Sequence, residues 1–128
     1  MSLLKTSEAE FNPADNITME IVEGTLTNTG ATIVITDLSE ENNTYGEWYR
    51  IDKQKDGKWY ELEDIVAGDV GWHAIGHLVG EDNTLTMEVD WEWLYGPLEK
   101  GKYRIVKGFS NEKNPYTNRH IAAEFTIE

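Results

Sequence analysis

Cysteine is absent from the 128 residues, which excludes disulfide staples, thiol catalysis and structural zinc sites built on cysteine. It leaves the compartment open, because oxidising surroundings permit disulfides without requiring them. Basic residues are scarce: 11 lysines and arginines stand against 24 acidic residues, a formal net charge of -13 at pH 7. Such a chain repels phosphate backbones and anionic headgroups, which argues against nucleic acid and membrane surfaces as partners. No apolar run approaches the roughly 18 residues that a spanning helix needs, so no membrane insertion of this segment is expected. The opening stretch MSLLKTSEAEF lacks the apolar core of an export signal. Residues 1–3 are read as a cloning scar standing in for a removed signal, which the N-terminus of the full-length gene would test. Also missing are apolar residues at helical spacing, a nucleophile elbow, a phosphate-cradling glycine loop and any Ser/His/Asp signature. The chain is therefore read as neither an enzyme nor a cofactor carrier.

What is present is alternation. Leu85, Met87, Val89, Trp91 and Trp93 alternate with Thr84, Thr86, Glu88, Asp90 and Glu92, a period-2 pattern with one apolar and one acidic face. That is a strand lying on a core with its back in water, as in an antiparallel sheet. Residues 1–15 are polar and aperiodic, with Pro13 among them, and are read as a leader or linker, so that one domain spans residues 16–128. A domain of this size buries about two thirds of its unfolded surface without a staple. Ile17, Met19 and Ile21 alternate with polar residues, and Asn28, Thr29 and Gly30 offer turn chemistry before the β-branched run at 31–36, which predicts a hairpin. Residues 37–46 read as a polar loop.

Asp56-Gly57 is the strongest hairpin signal, because both residues tolerate the positive φ of a type I′ turn. A two-residue loop there sets Ile51 opposite Leu62 and Tyr60 opposite Lys53, with Tyr49, Ile51, Tyr60 and Leu62 on one face and Trp48 and Trp59 on the other. Residues 64–83 are glycine-punctuated, with a short strand expected within 72–79. The last strand carries Ile121, Ala123, Phe125 and Ile127 inward. Strands of this length between turn clusters predict an all-β sandwich or barrel.

Between the two strands of residues 84–106, Gly96, Pro97 and Gly101 turn the chain from one sheet to the other. Tyr103 stands at the start of the strand after this corner, where immunoglobulin-like sandwiches place a tyrosine whose hydroxyl bonds upstream backbone. Ile105 then stands where antibody domains keep a core cysteine, with Ile33 or Ile35 facing it. At these residues the chain resembles a bacterial immunoglobulin-like domain family found in small, often exported proteins of Gram-positive bacteria. The resemblance covers most of residues 17–128. It rests on Tyr45-Gly46-Glu47, Asp56-Gly57-Lys58-Trp59-Tyr60-Glu61, Ile75-Gly76, Asp90-Trp91-Glu92-Trp93-Leu94-Tyr95-Gly96, Gly101-Lys102-Tyr103-Arg104-Ile105-Val106 and Ala123-Glu124-Phe125-Thr126-Ile127-Glu128. It implies an immunoglobulin-like antiparallel two-sheet β-sandwich of about seven strands and an extracellular or cell-envelope location. It implies no catalytic residue or ligand. His77 stands where the pattern favours an aromatic such as tyrosine, so packing around Ile75 is expected to depart from the family's.

Several groups invite chemistry. His73 and His77 are four apart, a metal-ligand spacing on a helix, but Gly71 and Gly76 disfavour a helix and no glutamate follows His73. The acidic stretches at 37–43 and 81–83 lack the fixed ligand positions of a calcium loop and read as solvated. Glu88, Asp90 and Glu92 share an outward face, where carboxylates stay in like environments and serve as edge protection rather than acid and base. No metal site is assigned. Among the five tryptophans, Trp91 and Trp93 follow the apolar phase and are assigned to the core, or to core and rim. Trp48 and Trp59 are out of phase and expected near each other on an outward face, a platform that stacks on a sugar ring or anchors a protein unless a loop or a second copy covers it. The expected role is a structural or protein-interaction module with an unknown protein partner. Polysaccharide binding through Trp48, Trp59 and Trp72 is the alternative.

Overall fold

β-branched and aromatic residues at alternate positions favour extended segments with unlike faces, and burying the apolar faces against each other gives two layers. The computed structural model describes the backbone of residues 3–6, 16–68, 70–72, 76–111 and 114–128, and the side chains of 16–68, 70–72, 76–110 and 119–128. Among these, the elements are β1 (Leu3–Thr6), β2 (Ile17–Ile21), β3 (Gly30–Asp37), β4 (Thr44–Lys55) and β5 (Lys58–Leu62), then β6 (Thr84–Asp90), α1 (Glu92–Tyr95), β7 (Gly101–Asn111) and β8 (Asn114–Ile127). They form a five-stranded sheet in the order β1-β5-β4-β7-β8 and a three-stranded sheet in the order β2-β3-β6. Every strand pair is antiparallel. The architecture is the immunoglobulin-like two-sheet β-sandwich.

Registers follow the turns. Asp56 and Gly57 both have positive φ, at 54° and 78°, and the hairpin pairs Lys55 with Lys58 and Lys53 with Tyr60. The β2–β3 hairpin pairs Ile21 with Ile33 and Ile17 with Asp37. Inward phases then converge: Ile17 and Met19 from β2, Ile33 and Ile35 from β3, Ile51 from β4, Ile105 from β7, and Ile121 and Phe125 from β8 belong to one buried cluster. Each such side chain contributes about 1.5–3 kcal/mol on removal from water. Ile105, Ile33 and Ile35 fill with aliphatic packing the place that a disulfide takes in antibody domains.

Four stretches differ from the sequence reading. The alternation at residues 84–93 stops being a strand after Asp90. There Asp90 Oδ1 accepts the Glu92 N–H at 3.0 Å and the chain enters the single turn α1. A helix advances about 100° per residue, so two residues on from Trp91 a side chain points the opposite way. Trp91 is fully buried, whereas Trp93 is 47 % exposed and not core. β4 begins at Thr44, inside the stretch read as loop, with Tyr45 buried. The strand expected within 72–79 reduces to the isolated bridge between Tyr45 and His77, residues 73–75 lying outside the described ones. Leu3–Thr6, in the stretch read as a leader, pairs with β5; four residues are too few for alternation to reveal them.

The crossover between sheets is built as a chain of contacts. Gly96, with φ 73°, ends α1 and donates its N–H to Glu92 O at 2.8 Å, a conformation that a side chain would strain. Past Pro97, Leu98 is buried and its N–H reaches Asn28 O at 2.8 Å, which also accepts the Trp91 indole N–H at 2.8 Å. β7 opens at Gly101. The fully buried Tyr103 ring stacks on Phe125 at 5.7 Å, and its hydroxyl donates to Glu99 O at 2.7 Å. Tyr103→Phe keeps the ring and deletes that bond, so we expect a loss of about 1 kcal/mol and a melting temperature lower by roughly 4 °C. A thermal melt followed by circular dichroism checks this. An unchanged midpoint would mean that ring packing alone holds the corner.

Candidate functional site

The outward face of the five-stranded sheet is less exposed than alternation implies. Glu61, Asp52, Arg104 and Glu124 stand side by side across β5, β4, β7 and β8. Asp52 is completely buried there, accepting from Arg104 Nε at 2.7 Å and Arg50 Nε at 3.2 Å. The Arg104 guanidinium lies 4.6 Å from the centre of the Trp59 ring, and Val106 on the same face is also fully buried. The two arginines stand where water would otherwise meet the buried carboxylate, and removing either side strands the other. Trp59 is thus the cover of an ion-pair layer.

Trp48 lies on this face too, edge-on to His120 at 5.9 Å. Burial and the nearby Arg50 charge hold the His120 imidazole below its ordinary pKa. Trp59 pairs with Gln54, six residues along β4 from Trp48, a separation of roughly 20 Å at the rise of a strand. The structure therefore puts the two tryptophans on one face but does not bring them together. A groove of about 420 Å³ runs beside Trp48, with Gly46, Gly108 and His120 also in its lining.

Trp72 sits elsewhere. It is half-buried at the flank where β4 and β6 face each other, with Tyr49 on one side at 5.2 Å and Trp93 on the other at 5.5 Å, both in edge-to-face geometry. These aromatics line a cleft of about 390 Å³ whose other walls include Met87, Glu47, Glu88, Asp90 and Lys107. The Tyr49 hydroxyl donates to Asp90 O at 3.2 Å, and burial pushes its pKa up. His77 Nε2 lies 2.7 Å from Glu47 Oε1. Its sequence partner His73 lies outside the described residues. The pairing of Trp72 with Trp93 was not legible because period 2 continued the strand through Trp93. The signal that could have found it is a helix start and stop, an acid at Asp90 and a glycine at Gly96.

The acidic stretch at 37–43 contains a clasp. The buried Asp37 carboxylate accepts from the Ser39 backbone and hydroxyl, from Asn43 Nδ2 at 2.9 Å and from the Tyr45 hydroxyl at 2.8 Å. Burial pushes its pKa up, but these hydrogen bonds outweigh that, and the carboxyl titrates below its ordinary value. Glu88, Asp90 and Glu92 are exposed. Among the described residues no group of three or more His, Asp or Glu is placed to hold a metal ion.

A family model described as a bacterial Ig-like domain matches residues 13–126. The chain belongs to the bacterial Ig-like domain family. Searches of curated proteins and of solved structures return no match.

One buried charge in this Ig-like domain escaped sequence reading. Lys107, in the inward phase of β7, is almost wholly buried, and its Nζ donates to Gly46 O at 2.7 Å and Trp48 O at 3.1 Å. Those carbonyls are free for it because the β4–β7 register shifts between Tyr45 and Tyr49. Desolvation lowers the ammonium pKa from 10.5 to about 8, with Glu47 pulling the other way. The folded state then gives up this proton at lower pH than the unfolded chain, so unfolding free energy rises with pH from about 8 towards 10.5. The raised tyrosines oppose this above pH 10, since Tyr95, pushed to about 12, and Tyr45 and Tyr49 hold their protons longer when folded. Urea melts should show stability climbing between pH 8 and 10, and Lys107→Met should abolish the climb while keeping the alkaline decline. A climb that persists in Lys107→Met would assign it to another group.

Proposed function

We propose that this Ig-like domain is a non-catalytic protein-interaction module of an exported or cell-envelope bacterial protein. The observation that carries the reading is the Trp72–Trp93 pair. Trp93 presents half of a large apolar ring to solvent and packs its edge on a second tryptophan, which is how interface anchors are held ready without ordering cost. Ile65 is 64 % exposed on the same flank, its N–H bonded to Leu94 O beside Trp93 at 2.8 Å. Membership of a bacterial Ig-like family and the acidic surface support a place outside the cell, and among the described residues no helix is long and apolar enough to cross a membrane. Fold by itself does not select a role, so the reading rests on this flank.

Site-directed photo-crosslinking in the producing bacterium tests it. A photoreactive residue at position 93 is expected to give a discrete adduct in the envelope fraction, and one at the exposed Glu20 of β2 to give none. Equal, diffuse labelling from both positions would sink the reading. Polysaccharide binding is the second reading, favoured by the groove beside Trp48, whose lining includes an aromatic ring and a histidine. Affinity electrophoresis through a panel of glycans decides it. Trp48→Ala should lose retardation while Trp59→Ala, which uncovers the arginine layer, keeps it; migration unaltered by every glycan removes this reading.

A further inference from the structure

We infer that the cleft between β4 and β6 receives a cationic side chain, lysine or arginine, of a protein partner. The inference rests on the interaction reading above and names the chemistry of what docks there. The indole planes of Trp72 and Trp93 stand 68° apart with centres 5.5 Å apart, so their faces make an aromatic corner, and Tyr49 continues it inward at 5.2 Å. Indole faces are the best aromatic seats for a cation, and two meeting at a wide angle hold an ammonium or guanidinium against more than one ring.

Charge points the same way. Glu47, Glu88 and Asp90 line the cleft. Glu88 and Asp90 belong to the outward phase of β6 and are exposed, which puts them where an incoming cation arrives. Lys107 is the one Lys or Arg among the described lining residues, and its ammonium is directed at Gly46 O and Trp48 O, so it offers no welcome to an anion. His77 holds one oxygen of Glu47 and leaves Glu88 and Asp90 as the principal acids. Among the described residues the lining contains no Ser, Thr, Asn or Gln, so its polar groups are mainly charged. A volume of about 390 Å³ suits one long side chain and its neighbours. The net charge of -13 draws basic partners from a distance, and the cleft supplies the local seat.

The test is titration of isotopically labelled domain with tetramethylammonium and with a lysine–glycine repeat peptide, reading the indole N–H resonances. Trp72 and Trp93 should shift while Trp91 does not, and binding should weaken severalfold as salt rises from about 0.05 to 0.5 M. Trp93→Ala, whose ring is half in water, should retain the fold and weaken binding about two- to fivefold, the size of one exposed cation–aromatic contact. The pair Glu88→Gln with Asp90→Asn should weaken it similarly, the Asn keeping the cap on Glu92. Glu20→Gln, the loss of a single charge on β2, should leave it unchanged. Weakening by Glu20→Gln to the same extent would reduce the effect to the general acidity of the surface and overturn the proposal. So would silent indoles with both probes, or the same shifts with a neutral oligosaccharide. If crosslinks from position 93 persist while both probes leave the indoles unmoved, the interaction reading stands and the cationic partner falls. Loss of both removes the two together.

Discussion

Everything in this sandwich depends on how the chain is held as it crosses between sheets, and that hold is an aromatic stack. Trp91 lies on Phe125 at 5.4 Å and Phe125 on Tyr103 at 5.7 Å, with planes within 22° and 17° of parallel. The three rings come from just past the end of β6, the C-terminal end of β8 and the start of β7. The stack is anchored at both ends by a polar tip, the Trp91 N–H on Asn28 O and the Tyr103 hydroxyl on Glu99 O. Large rings contribute burial, and their single donors fix orientation, which an aliphatic core cannot do. Without a disulfide, this is what ties the three-stranded sheet to the five-stranded one.

A second constraint is the burial of charge. Asp52, Arg104, Asp37 and Lys107 are all buried, yet each is met by specific partners: arginines for Asp52, hydroxyl and amide donors for Asp37, two carbonyls for Lys107. Among the described residues no buried side-chain polar atom lacks a partner. Such groups add little net stability over apolar packing, but they penalise every register in which the partners separate. In a sheet sandwich, where a one-residue slip inverts the faces, that penalty helps to select one arrangement.

The aromatic clefts lie where alternation breaks down. The clefts beside Trp48 and Trp93 arise at a register shift in β4 and at a single helical turn after β6. Irregular backbone turns aromatic rings away from the core phase and leaves them at the flanks. The regular strands supply rigidity, and the irregularities supply surface.

How much of this could be read from sequence follows from the range of each interaction. Strands β3, β5 and β8, the Asp56-Gly57 turn and the Tyr103 corner were legible because period 2, positive-φ turn residues and a tyrosine at fixed offset are local signals. The same rule ran the strand on through Trp93, since one turn of helix changes the period without changing the letters. The spacing of Trp48 from Trp59, the burial of Asp52 and the seat of Lys107 were not legible. Each depends on which residues of β4, β5, β7 and β8 stand in register, and a local pattern does not encode that pairing. The sequence by itself determined an all-β, acidic, cysteine-free domain, because composition and alternation dictate which faces must leave water, and the Tyr103 corner marked its resemblance to Ig-like sandwiches. Only the tertiary structure decided which charges are buried, which rings meet and which stay exposed, because those contacts join residues distant in the chain and exist only once the sheets have closed.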